Sequence, residues 1–274
     1  MLGVPVRAAE LFALDRDPLS SDYTGPTGPL VMSGDIVPGD YDRLLARIEQ
    51  HSQQFLATNR LILAADEGDV TEAIRIGDLI KSLLTQVEVG PLTGPCSGPC
   101  FLIYAAAARR GTDGSGLLGL YAPASSDEQA HRQVVDYLAA NQVPSDLVEH
   151  LVGHDREDPY WLSGPEEEVL GARSAAFEQQ LARRCGWSAD LERAVYAGER
   201  PMEELKSVWA CTEHLVQPTA RHALCLALAA RDAARQKAAS APPDAATVKH
   251  TRKAHGRSAP RTVAKKSACN DPPG

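Results

Sequence analysis

Aromatic residues are scarce in this chain, at 5% of 274 positions, and no run of about 18 apolar residues occurs. The second absence excludes a transmembrane helix. Cysteine is sparse as well, and six in 274 residues exclude a small scaffold held together by disulfides. The opening MLGVPVRAAELFALDRDP lacks the ~7–15-residue apolar stretch of a secretory signal, because Arg7 and Glu10 interrupt it. As written, the chain is expected to be cytoplasmic. It would be periplasmic if a signal peptide lay upstream, with VPVRAAE as its tail.

At ~100–200 residues per domain, the length allows one large domain with appendages and a core that needs no disulfide staples. The net charge of −8 conceals an asymmetry. Residues 235–274 hold nine Lys/Arg against two acids, a charge of +7, which leaves −15 for the rest. With no basic face on the folded part, specific nucleic-acid binding is not expected. The tail reads as a solvated extension, or else as a salt-sensitive tether to an anionic surface.

Residues 1–28 read as an irregular arm rich in Pro, Gly, Ser and Asp. LVMS (30–33) reads as a buried strand, Asp40 as an N-cap, and Leu44, Leu45, Ile48 and Phe55 fall at helical spacing. LILAA (61–65) has strand length, a helix follows from Val70 to Leu84, and Val87 and Val89 mark a third strand. This alternation implies a parallel sheet with right-handed crossover helices. FLIYAAAARR (101–110) reads as a buried helix and GLLGLY (116–121) as a further strand. Helical patterns then occupy 127–140, 145–152, 166–184, 201–215 and 219–236, with Pro218 separating the last two. Beyond residue 238 the chain is Ala, Pro, Ser and Lys/Arg with almost no large apolar residues and cannot bury enough surface to order itself.

Three segments resemble the ClpP-like branch of the ClpP/crotonase superfamily, and more narrowly a group of small bacterial proteins described as periplasmic. They are SGDIVPGDYDRLLARI (33–48), LILAADEGDVTEAIRIGDLIKSL (61–83), and CSGPCFLIYAAAARR (96–110) followed by GLLGLY. DPYWLSGPEEEVLGARSAAFEQQLARRCG (158–186) is similar to that group's helical extension. The resemblance covers roughly 29–225. It implies an α/β fold with a ClpP/crotonase-like parallel sheet, crossover helices and a helical C-terminal extension, to which the composition adds a disordered tail. The implied divisions are an arm over 1–28, the α/β core over 29–141, the extension over 142–236 and the basic tail over 237–274.

In that family a serine at a helix N-terminus attacks an acyl group, a histidine accepts its proton, and a Gly-Gly turn binds the oxyanion. Carried over residue by residue, the serine position is Gly98, between Cys96 and Cys100. Ser97 stands one residue early. The histidine position is Tyr121, a poor base at neutral pH. The Gly-Gly pair is Glu67-Gly68, with a carboxylate opposing an oxyanion. These departures point to a fold that has lost serine-hydrolase chemistry and serves as a binding or assembly module. The alternative is an active serine peptidase using Ser97 with His131, His150 or His154 as a relocated base. No cofactor is expected. The expected partners are further copies of the chain and an unidentified protein or peptide.

Other residues carry a sharper and a plainer reading. Cys96 and Cys100 could be a disulfide, a reactive thiol, or two buried thiols, the last being the default. Cys211-x-x-His214 and His222-x-x-Cys225 could together hold zinc. The resemblance instead implies a disulfide between Cys185 and Cys211, as in secreted members of the group. Trp161, Trp187 and Trp209 read as core anchors, or as a ligand-stacking surface. Glu166, Glu167 and Glu168 read as the acidic first turn of a helix rather than a metal site.

Overall fold

The structure, a computed structural model, describes residues 9–13, 28–90, 94–112, 117–122, 128–240 and 269. Most of the expected arm and basic tail lies outside the described residues. Eight strands and ten helices follow in chain order among the described residues: β1 (Glu10–Ala13), β2 (Leu30–Ser33), α1 (Asp40–Gln50), α2 (Ser52–Thr58), β3 (Arg60–Ala64), α3 (Val70–Ser82) and β4 (Gln86–Val89). Next come β5 (Cys96–Ser97), α4 (Pro99–Ala106), β6 (Arg109–Thr112), β7 (Leu118–Leu120), α5 (Glu128–Ala140), α6 (Ser145–Gly153) and β8 (Tyr160–Trp161). The chain then turns helical with α7 (Gly164–Leu170), α8 (Ala175–Cys185), α9 (Ala189–Tyr196) and α10 (Met202–Ser240).

The fold is mixed α/β, with two sheets rather than one. The larger has the order β1-β2-β3-β4-β6 and the smaller the order β5-β7-β8. β2, β3, β4 and β6 run parallel, while β1, inside the stretch read as irregular, pairs antiparallel to β2. Leu61, Leu63, Val87 and Val89 face the main core, where α1, α3 and α4 contribute Leu44, Ile48, Ile76, Ile80, Phe101 and Ile103. α4 is buried along its whole length, which its uniformly apolar sequence requires.

The helix expected over 101–110 is corrected at its end. Ala107 is extended, at φ −61° and ψ 140°, and Arg109–Thr112 become the edge strand β6. The backbone of 172–174 covers that edge, with Arg110 N–H donating to Ala172 O at 2.8 Å and Ser174 N–H to Ala108 O at 3.0 Å. The helix expected over 166–184 is split by Gly171, at φ 78°, and α9 is additional. Pro218 does not separate two helices but lies inside α10, whose 39 residues span about 58 Å. Proline removes one hydrogen bond there. Burial compensates on both sides, since Val208, Leu215 and Val216 pack in a second core with Phe177, Leu181 and Trp187. Ala220, Leu224 and Leu228 join the main core.

Asp40 is the first helical residue of α1 rather than its cap. Gly39 occupies the N-cap at φ 98°, a conformation suited to glycine. The orphan donors are satisfied from another helix. Buried Glu72 of α3 accepts from Gly39 N–H at 3.0 Å and Tyr41 N–H at 2.7 Å, and pairs with Arg75 at 2.8 Å. A carboxylate at a helix N-terminus also complements the helix dipole. Glu72→Ala is expected to destabilise the protein by about 2 kcal/mol, because two half-buried N–H groups lose a charged acceptor. Glu72→Gln should recover part of the loss, as measured by urea unfolding.

Candidate functional site

The site forms where the C-terminal ends of neighbouring parallel strands meet the helix α4. After β2 the chain continues through Gly34 and Asp35, and after β3 through Ala65, Asp66 and Glu67. Ile36 and Gly68 form a parallel bridge, with Ile36 N–H donating to Glu67 O at 3.0 Å and Asp69 N–H to Ile36 O at 2.7 Å. A Cβ on Gly68 would stand 2.6 Å from Ile36 Cβ, so this close approach needs glycine. β5 enters from the second sheet. Ser97 N–H donates to Ala65 O at 2.9 Å, and Gly98 N–H to Gly119 O at 3.1 Å.

Gly98 turns β5 into α4 at φ 52° and ψ −116°, and Pro99 occupies the first helical turn. Cys96 and Cys100 form a disulfide across this turn, with Cα atoms 5.3 Å apart. That corrects the default of two buried thiols, because the tight turn brings both side chains within bonding geometry. The Tyr121 ring lies over Gly98. A Cβ on Gly98 would meet its Cε1 at 2.6 Å and its phenol oxygen at 2.5 Å. Tyr121 O–H donates to the Asp66 carbonyl.

Ser97 is 3% exposed, and its hydroxyl donates to the Asp66 carbonyl at 3.4 Å. The Tyr121 hydroxyl and the Ser97 hydroxyl thus share the Asp66 carbonyl as their acceptor. Among the described residues, none of the histidines hydrogen-bonds to Ser97. His150 stacks on Tyr160 with ring centroids 3.9 Å apart, His154 Nδ1 lies 3.1 Å from Asp158 O, and His131 is carried on α5. Burial and the carboxylates of Asp66 and Asp35 push the Tyr121 phenol up to about 12, so it holds its proton at neutral pH. Glu67 is ion-paired with Arg156, which offsets its charge at the Glu67-Gly68 turn.

Asp35 and Asp66 are the site residues that sequence reasoning missed. The signal was available: both follow the C-terminal ends of adjacent parallel strands, where α/β sheets place ligand-binding groups. Burial, first, and then the Asp35 charge raise the Asp66 carboxyl above its ordinary value of 3.8.

The zinc candidates do not converge. Cys211 is disulfide-bonded to Cys185, and Cys225 to Cys269, so neither sulfur is a free thiolate. His214 and His222 lie on the same helix as both cysteines, and the two pairs are separated by about 16 Å of helical rise. Among the described residues no three metal-ligating side chains cluster. Glu166 instead closes a capping box with Ser163 and accepts from the Tyr160 hydroxyl at 2.5 Å. Trp187 is buried, whereas Trp161 and Trp209 are exposed.

No family model matches the chain. No curated protein matches it either. Among solved structures, ClpP1 from Listeria monocytogenes is similar over 52% of this chain and 86% of its own, at 20% identity and a TM-score of 0.36. The ClpP protease catalytic domain from Plasmodium falciparum is similar over 51% of this chain and 78% of its own, at 14% identity and a TM-score of 0.34. Similarity at this level transfers neither activity nor site residues.

The raised Asp66 carboxyl has a consequence for stability. The native group holds its proton to higher pH than the unfolded one, so stability is lost as pH rises from 3.8 to the raised native value. Asp66→Asn removes that loss. Its melting temperature should exceed that of the parent near pH 7, and the two should converge below pH ~4.

Proposed function

We propose that this chain is a non-hydrolytic binding or assembly module built on a ClpP-like α/β fold. In this reading it retains the cleft at the strand ends, binds a protein or peptide there, and associates with further copies of itself. One observation carries the reading. Gly98 holds a positive-φ turn leading into α4, the family's serine position, and the Tyr121 ring fills the space a side chain there would need. Gly98 and Tyr121 thus exclude a nucleophile sterically as well as chemically. Ser97 is an unsuited substitute, because its buried hydroxyl donates to the Asp66 carbonyl and, among the described residues, no imidazole hydrogen-bonds to it. Three disulfides support residence in an oxidising compartment.

The competing reading, a serine peptidase using Ser97, predicts covalent labelling by a fluorophosphonate probe. The folded protein is expected to remain unlabelled. Labelling that disappears in Ser97→Ala would overturn the proposal. The steric part is tested separately by a double-mutant cycle. Gly98→Ser alone should destabilise the fold by about 1–3 kcal/mol through overpacking against Tyr121. Combining it with Tyr121→His should recover most of that in thermal unfolding, with a coupling above about 0.5 kcal/mol.

A further inference from the structure

The edge strand β6 and the helical extension enclose a cavity of about 280 Å³ whose lining includes none of the residues of the Ser97 site. Arg109, Arg110, Arg173, Phe177, Trp187 and Trp209 line it. Four guanidinium groups gather here, with Arg60 and Arg173 both within electrostatic reach of Arg109. Two have carboxylate partners. Arg60 pairs with Glu88, and Arg173 forms a bidentate pair with Glu192 at 2.9 and 3.1 Å.

Arg109 and Arg110 form no ion pair among the described residues. Arg110 is 7% exposed and gives one Nη2 bond, to the Arg173 carbonyl at 3.0 Å. Among the described residues Arg109 reaches the Asn59 carbonyl alone, at 3.5 Å. The Nε–H of each is buried without an acceptor. Glu178 lies within electrostatic reach of Arg110 but is not paired with it, and Glu88 already accepts from Arg60 and Gln86. Burial and the Arg60 charge lower the affinity of Arg109 for its proton, to a pKa of about 10. A buried cation with unsatisfied donors is costly unless an anion completes it.

The opposite wall is apolar and aromatic. Trp187 is held by a bond from its Nε1 to Glu192 at 3.1 Å and by the Arg173 guanidinium stacked 5.1 Å over its ring. Trp209 stands at the mouth, 43% exposed, on α10. A buried indole, an exposed indole and two guanidiniums without an ion pair among the described residues make a site of mixed chemistry.

We propose that this cavity binds a small organic anion, a carboxylate or phosphate group carried on a flat aromatic body. The anion would accept from Arg109 and Arg110, and the ring would lie between Trp187 and Trp209. This assignment does not depend on whether Ser97 is reactive.

The test titrates the full-length protein with phenylacetate and with phenyl phosphate, following tryptophan fluorescence and protein-observed NMR shifts. The neutral isostere phenylacetamide and inorganic phosphate alone are the controls. At least one aromatic anion should bind saturably and roughly tenfold more tightly than the amide, since charge-assisted bonds to guanidinium are the discriminating contact. Preference for phenyl phosphate over phenylacetate, or the reverse, identifies the anionic group. Arg109→Met should abolish that preference over the amide and raise the melting temperature of the unliganded protein, an outcome a purely structural arginine would reverse. Trp209→Ala, at an exposed position, should weaken binding without unfolding the protein. The proposal fails if neither anion binds more tightly than the amide, or if Arg109→Met binds unchanged. It also fails if inorganic phosphate alone binds as tightly as phenyl phosphate, which would leave the aromatic wall without a role.

Discussion

The short segment Cys96–Gly98 is hydrogen-bonded to both sheets, and the architecture of the site depends on those backbone bonds. On one side Ser97 N–H reaches Ala65 at the end of the larger sheet. On the other, Cys96 N–H donates to Leu117 O at 2.8 Å and Gly98 N–H to Gly119 O, which fixes β5 against β7. A segment bonded to both sheets cannot rotate to relieve a local clash. The turn into α4 must therefore be made within one residue, and Gly98 makes it at positive φ. Tyr121, at the end of β7, is delivered onto Gly98 by the same pairing. The buried disulfide between Cys96 and Cys100 then constrains the turn covalently.

A comparable logic joins the helical extension to the core. α10 contributes to both apolar clusters, and near its C-terminal end Arg231 pairs with Glu49 of α1 at 3.0 Å. The Cys185–Cys211 and Cys225–Cys269 disulfides each anchor α10 to another part of the chain. A proline in such a helix forfeits one backbone bond, a modest loss against the apolar surface buried on both sides of it. The edge of the larger sheet is covered by residues 172–174, which prevents β6 from acting as an open edge and creates the arginine-lined cavity at that seam.

Much of the core was legible from pattern. The apolar runs at 30–33 and 61–65 are strands, and the three- and four-residue spacing from Val70 onward is a helix with Asp69 as its cap, accepting from Glu72 N–H. The misreadings share one cause. Arg109 and Arg110 follow an alanine-rich helical run and have good helix propensity, yet they pair with β4 because an unpaired strand edge lay beside them. Asp40 looks like a cap, but Gly39 and the distant Glu72 take that role. In the site, Ser97, Gly98, Tyr121, Glu67 and Gly68 could be named from the resemblance to the ClpP-like group. Asp35 and Asp66 could not be paired, because their interaction arises only where β2 and β3 lie side by side.

The sequence by itself determined which residues are apolar at strand and helix period, and so β2, β3, β4, α1 and α3 of the core and the α/β class. It also determined that residue 98 is glycine and residue 121 tyrosine, since residue identity needs no coordinates. Only the tertiary structure decided which strands share a sheet, which cysteines bond, and where Tyr121 and Arg109 come to rest. Those outcomes depend on contacts between residues tens of positions apart. Local periodicity carries no information about such distances, because it records which face a side chain takes and not what that face will meet.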